Sequence, residues 1–259
     1  MELISLGVLD YLFVLPFIFL AGLIDSIAGG GGLISLPAYV AAGLPMHTAL
    51  ATNKFSSACG TAFSTANYLH SKVIDLPVAL ISALLALVGA YLGTRTVLKL
   101  SPEPLRYLLI FIIPIITILT FIHKDIGSKN RSTEMKLGIR LFLGAIAGLI
   151  IGFWDGFFGP GTGTFLILIY TTIMHYDFMV ANGNTKVVNL TSNITALITF
   201  LIAGKVYFPL AIPSAICGIA GNILGSKLVI LRGNKLIRPV FIIALILLLG
   251  RVSYDLIKY

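Results

Sequence analysis

The sequence predicts an all-α, polytopic membrane protein made of two homologous halves. Three observations predict it. Apolar residues fill 58% of the 259 positions and charged residues only 11%, where a soluble domain carries about 25% charged residues. Apolar runs near 20 residues recur along the chain, the helix length that crosses ~30 Å of hydrocarbon. Two glycine-rich stretches, IAGGGGLIS at 27–35 and FGPGTGTF at 158–165, stand at corresponding places, each a few residues after an aspartate.

The segment 9–28 is expected to be a retained helix rather than a secretory signal. Residues 1–30 hold Glu2 and Asp10 and no Lys or Arg, whereas a signal peptide opens on a basic region. Apolar segments follow at 33–43, 48–70, 75–98 and 104–122, the last with Ser101 as N-cap and Pro102 as first helical residue. The hydrophilic stretch HKDIGSKNRSTEMK at 123–136 comes next, then 137–158, 163–175, 180–203, 207–231 and 236–257. All read as helices, because open strands leave backbone groups unsatisfied in lipid. The organisation is therefore a first repeat of transmembrane helices at 1–122, a polar basic linker at 123–136 and a second repeat at 137–259.

The repeat is read position by position. At an offset of 130, Gly22, Asp25, Gly29 and Gly31 match Gly152, Asp155, Gly159 and Gly161. At an offset of 132, Lys54, Pro77, Ala79, Gly89, Gly93 and Arg106 match Lys186, Pro209, Ala211, Gly221, Gly225 and Arg238. Segments 33–43 and 163–175 are short, since a helix rises ~1.5 Å per residue. If they turn back, each half crosses four times and the repeats are parallel; if they cross, each half has five spans and the repeats are inverted. The inverted arrangement puts Lys72, the linker and the 227–238 loop on one face, the basic face expected in the cytoplasm.

The formal charge of +8 sits in short loops beside apolar segments, where it reports topology and anionic headgroups rather than nucleic-acid binding. Cys59 and Cys217 lie in apolar segments, so neither a disulfide framework nor a thiolate metal site is expected. His47, His70, His123 and His175 are scattered without ligand spacing. No metal, no cofactor and no catalytic nucleophile–base set is expected.

The polar residues carry the function. Glycine-interrupted apolar segments at corresponding positions of two halves point to a transporter's binding site. A helix restarting after such a break aims free N–H groups at a ligand and favours an anion, although small residues also serve close helix packing. Gly30, Gly31, Gly161 and Gly163 are the candidates for backbone contacts. Lys54 and Lys186 are charges inside predicted spans, costly at about 2.5–3.5 kcal/mol on insertion scales. Snorkelling to headgroups would explain them, but their segments also hold rows of amides and hydroxyls that cannot all face lipid. Asn53 lies near Lys54, and Asn189 and Asn193 lie near the face of Lys186. Lysines with amide donors suit a small oxyanion. Asp25 and Asp155 are read as proton-coupling groups, cation ligands, partners of the lysines or caps of the broken helices. Trp154 is read as packing or an interfacial anchor rather than as a stacking surface for substrate.

These residues, in AGLIDSIAGGGGLISLPAYVAAGLPMHTALATNKFSS of the first half and in GFWDGFFGPGTGTFLI, KVVNLTSNI and GSKLVILRGNKLIRP of the second, resemble the TauE/SafE sulfite exporter family, also called sulfonate uptake permeases, and its YfcA-type members in particular. The resemblance implies a multi-pass permease of the inner (cytoplasmic) membrane that moves small sulfur-containing anions such as sulfite, thiosulfate or sulfonates. Its partners would be that anion and the bilayer, with no nucleic acid and with room for a homo-oligomer. An ion-coupled carrier of small carboxylates and a non-transporting membrane scaffold are the competing readings.

Overall fold

The computed structural model describes residues 6–101 and 127–233. Among the described residues there are eight α-helices and no strand: α1 (Val8–Ala28), α2 (Gly32–Ala41), α3 (Met46–His70), α4 (Leu76–Val97), α5 (Leu137–Phe157), α6 (Thr162–Leu168), α7 (Phe178–Ile202) and α8 (Phe208–Arg232). A 3-10 turn at Ser132–Glu134 precedes α5, and a π-helical stretch at Ile169–Ile173 prolongs α6. The predicted segments 104–122 and 236–257, with Arg106 and Arg238, lie outside the described residues.

Five of these helices, α1, α4, α5, α7 and α8, are long and apolar enough to cross a membrane. Helix α3 is as long as α7 and α8, at 25 residues, but its row of hydroxyls and amides makes it less apolar. The outward faces of the long helices carry exposed Leu80, Leu84, Phe142, Ile150, Ile212 and Ile216. Such a belt has no place in water and suits acyl chains. The chain is a multi-pass helical membrane protein.

Local sequence sets the helix ends. Pro77 and Pro209 sit in the first turns of α4 and α8, where a missing N–H costs nothing. Asp177 caps α7 by accepting the Val180 N–H at 2.9 Å. Helix α1 stops at Gly29, whose φ of 74° lies in the left-handed region. Helix α6 starts after Gly161, at φ 82°.

Helix α4 packs along α5 and α8 along α1, while α3 and α7 lie against each other and against α8 and α4 respectively. The close seams are built on small residues. A Cβ on Gly89 would strike the Leu149 carbonyl and the Phe153 amide of α5, and one on Gly221 would strike the Phe19 carbonyl and the Leu23 amide of α1. Two further bonds tie α3 and α7 to the connections ahead of α4 and α8. The Asn184 Oδ1 accepts the Asp75 N–H at 2.9 Å, and the Thr52 Oγ1 accepts the Tyr207 N–H at 3.2 Å.

The described part of the linker rests on the connection between α6 and α7. The Arg131 N–H donates to the His175 carbonyl at 2.8 Å, and the Phe178 N–H donates to the Gly127 carbonyl at 3.0 Å. Beside it, the Asp75 carboxylate takes Arg140 Nη1 and the Tyr176 hydroxyl, each at 2.6 Å. Burial, reinforced by the bond to Asp75, pushes the Tyr176 hydroxyl pKa up. Asp75, Arg140 and Tyr176 are far apart in the chain, and no spacing in the sequence announces the cluster.

Candidate functional site

The two helix breaks meet. The Thr164 N–H donates to the Gly29 carbonyl at 2.8 Å, and a Cβ on Gly29 would stand 2.5 Å from the Gly163 carbonyl carbon. The two backbones approach this closely only because neither residue has a side chain. Helix α7 also reaches the first break, where Asn182 Nδ2 donates to the Ser26 and Ile27 carbonyls at 2.9 Å. These carbonyls end α1 and have no partner inside the helix.

The lysines and aspartates pair across the halves. Lys54 Nζ lies 2.8 Å from the Asp155 carboxylate, with side chains only 3% and 5% exposed. Lys186 Nζ lies 2.9 Å from the Asp25 carboxylate, with exposures of 0% and 19%. Lys186 also donates to the Asp25 backbone carbonyl, and Lys54 donates to Asn193 Oδ1 at 2.9 Å. Burying either charge alone would be costly, and pairing with added hydrogen bonds offsets that cost. Of the roles left open for the aspartates, the geometry shows the ion pair. The partner that each carboxylate finds is a lysine ammonium of the other half of the chain.

A cavity of about 30 Å³ opens beside Lys54, lined by Asp25, Asn53, Asp155, Asn189, Asn193, Gly161 and Gly163 among the expected site residues. Gly29, Gly32, Ser57, Gly159 and Thr162 complete its wall. Gly159 leaves room for the ammonium: a Cβ there would come within 3.1 Å of Lys54 Nζ. Three expected residues stand elsewhere. Lys186 contacts Asp25 from behind the wall, Gly31 lines a neighbouring cavity, and Gly30 faces Leu33, Thr164 and Ile24.

Some of the lining is spent and some is not. Asn53 Oδ1 accepts from the Ser35 hydroxyl at 2.6 Å. The Asn189 side chain is 4% exposed, and its Oδ1 has no hydrogen-bond partner among the described residues. No acceptor is found among them for the Gly161 and Gly163 N–H groups. The site thus offers an amide whose oxygen has no partner, backbone N–H groups with no acceptor and one paired ammonium.

Trp154 braces the second break. Its Nε1 donates to the Pro160 carbonyl at 3.0 Å, and its ring meets Phe158 and Phe165 edge-on at 5.6 and 6.2 Å.

Comparison with known proteins agrees with this architecture. The family model described as "Sulfite exporter TauE/SafE" matches residues 14–252. The chain is 35% identical over 236 residues to the probable membrane transporter protein YfcA of Escherichia coli K12, covering 91% of this chain and 87% of that one. It is 31% identical over 252 residues to a probable membrane transporter protein of Haemophilus influenzae, covering 97% of each. It is 32% identical over 255 residues to the probable membrane transporter protein ORF9 of a Sinorhizobium species, covering 98% and 96%. No solved structure matches it. The chain belongs to the TauE/SafE family of membrane transporters.

Proposed function

We propose that the chain is a secondary permease of the inner membrane that moves small sulfur-containing anions such as sulfite, thiosulfate or sulfonates. The observation that carries the reading is the cavity at the meeting of the two helix breaks. It holds a buried ammonium, the Asn189 and Asn193 side-chain amides and glycine N–H groups with no acceptor among the described residues. Those donors suit an oxyanion, and the family name supplies the sulfur chemistry.

In this reading Lys54 provides the positive charge, Asn189 and Asn193 turn their amides to the oxyanion, and Gly161 and Gly163 add backbone donors. Asn53 and Ser57 close the opposite wall. Lys186 acts through Asp25, and Gly30 and Gly31 shape the first break. The halves are structural repeats that rock about the crossed ion pairs. A cavity of about 30 Å³ has room for roughly one water, so rocking must widen it to admit the anion. The basic loops face the cytoplasm.

Flux of labelled sulfite and thiosulfate into proteoliposomes tests this. Saturable uptake is expected, and it should fall at least tenfold in a folded Asn189→Leu protein. Uptake of acetate or lactate with none of sulfite would replace the sulfur reading by the carboxylate one. No flux of any of these would remove the transport reading for these substrates.

A further inference from the structure

A second cavity of about 30 Å³ lies beside the first, between α1, α2, α3 and α8. Asp25, Gly32 and Ser57 belong to both walls. Its side chains are acceptor-rich: those that reach it include Asp25, Ser57, Thr61 and Asn222, and Lys186, whose Nζ holds the Asp25 carboxylate at 2.9 Å, is not among its lining residues. Asn222 is 3% exposed. Its Nδ2 donates to the Gly218 carbonyl at 3.0 Å, which fixes the amide's orientation. Its Oδ1, an acceptor only, is left with no donor among the described residues. A buried acceptor on a cavity wall normally finds a partner. An oxygen-only set with one carboxylate suits a hard cation, and a water-sized space suits one stripped of its shell.

Charge balance points the same way. Lys54, Lys186 and Asp155 are buried, Asp25 is 19% exposed, and the four charges sum to zero. An anion bound alone beside Lys54 leaves that low-dielectric centre with an uncompensated negative charge, and a cation bound next door restores neutrality. We propose that this second cavity binds a monovalent alkali cation of sodium's size, through Asp25, Ser57, Thr61 and Asn222, and that the cation travels with the anion. The coupling part rests on the anion reading above; the binding part does not.

The mirror position differs at one of the four ligands. At the offsets of 130 and 132 that align the halves, Asp25, Ser57 and Thr61 correspond to Asp155, Asn189 and Asn193, which keep an oxygen, while Asn222 corresponds to Ala90. Asn193 Oδ1 is moreover taken by Lys54 Nζ. The amide oxygen of Asn222 is thus what sets the cavity beside Asp25 apart.

The test uses the purified full chain in detergent. Its thermal midpoint is followed as sodium chloride replaces choline chloride at constant ionic strength. A ligand that binds only the folded state raises the midpoint saturably. The wild type should show that rise. Thr61→Val and Asn222→Ala, neither of which lines the Lys54 cavity, should each need at least tenfold more sodium for the same rise. Thr61→Val conserves shape, so it serves even where Asn222→Ala folds poorly. Equal midpoints in sodium and choline overturn the site, as does an unchanged sodium response in folded Thr61→Val. In proteoliposomes, an inward sodium gradient should raise sulfite uptake at least fivefold over choline. Sodium-independent uptake overturns the coupling and hands it to protons or to the anion gradient. Absence of sulfite uptake beside an intact sodium response would sink the anion reading and leave the cation site standing.

Discussion

The two lysine–aspartate pairs have the same chemistry and different surroundings. Around Lys54 and Asp155 both side chains are nearly sealed, and Asn193 adds a hydrogen bond to the ammonium. Around Lys186 and Asp25 the lysine is fully buried but the carboxylate is 19% exposed, and it borders both cavities. At the offset of 132 Ala90 stands where Asn222 lines the cavity beside Asp25, while Asn189 and Asn193 stand where Ser57 and Thr61 line it. The two pairs therefore share a charge pattern and differ in exposure: both partners of one are nearly sealed, and the other presents its carboxylate to both cavities.

The largest expected effect tests that difference. Asp155→Asn leaves Lys54 buried with only an amide partner, a change of the kind that costs ~3–5 kcal/mol. Asp25→Asn should cost less, about 1–3 kcal/mol. Lys186 there keeps its bond to the Asp25 backbone carbonyl, and solvent reaches the side chain. Thermal midpoints of the two variants in detergent should rank in that order, and Lys54→Gln combined with Asp155→Asn should recover much of the loss. Equal losses would mean that exposure does not separate the pairs.

The glycines give the next effect. Gly29→Ala drives a methyl into the Gly163 backbone, an overpacking cost of about 1–3 kcal/mol. Its φ of 74° adds about 1–2 kcal/mol for a residue with a Cβ. Gly30→Ala meets nothing nearer than 3.7 Å and should change the midpoint little. Transport should be lost in the first and kept in the second. Comparable damage from both would show that flexibility of the whole run, rather than contact between the breaks, is what matters.

Much of this was legible in the sequence, and the rest was hidden for physical reasons. The apolar runs end within a few residues of the helices because glycine, proline and capping residues mark those ends locally. Lys54 and Lys186 stand out because a charge in an apolar segment is conspicuous. Their partners do not: Lys186 and Asp25 are 161 residues apart, and only tertiary packing crosses the pairs between halves. Gly30 and Gly31 fall outside the Lys54 cavity because the chain turns within the run, so that successive residues face different neighbours. Asn222 is inconspicuous in the sequence because a lone amide in an apolar helix has no periodic signal. The amide in apolar α8 was the clue, and its meaning appears only when α1, α2 and α3 close around it. The π-helical stretch after α6 had no signature in composition.

The smallest expected effect concerns the brace that only the second break has. Trp154 aligns with Ile24 at the offset of 130, and Pro160 with Gly30. Pro160 has no N–H to donate, so the second break gains rigidity from the ring and from the bond that its carbonyl accepts from Trp154. Trp154→Phe removes the N–H donor and keeps an aromatic ring against Phe158 and Phe165. A neutral hydrogen bond contributes about 0.5–1.5 kcal/mol, so the midpoint should fall slightly. The substrate affinity should fall further than the stability does, because the bonded Pro160 carbonyl belongs to the peptide that leads into Gly161, which lines the Lys54 cavity. Ile24→Ala, in the unbraced half, should lower stability through lost packing and leave affinity unchanged. If the affinity of Trp154→Phe is unchanged while its midpoint falls, the brace serves folding alone, and the two breaks differ in stability rather than in how they present their backbone.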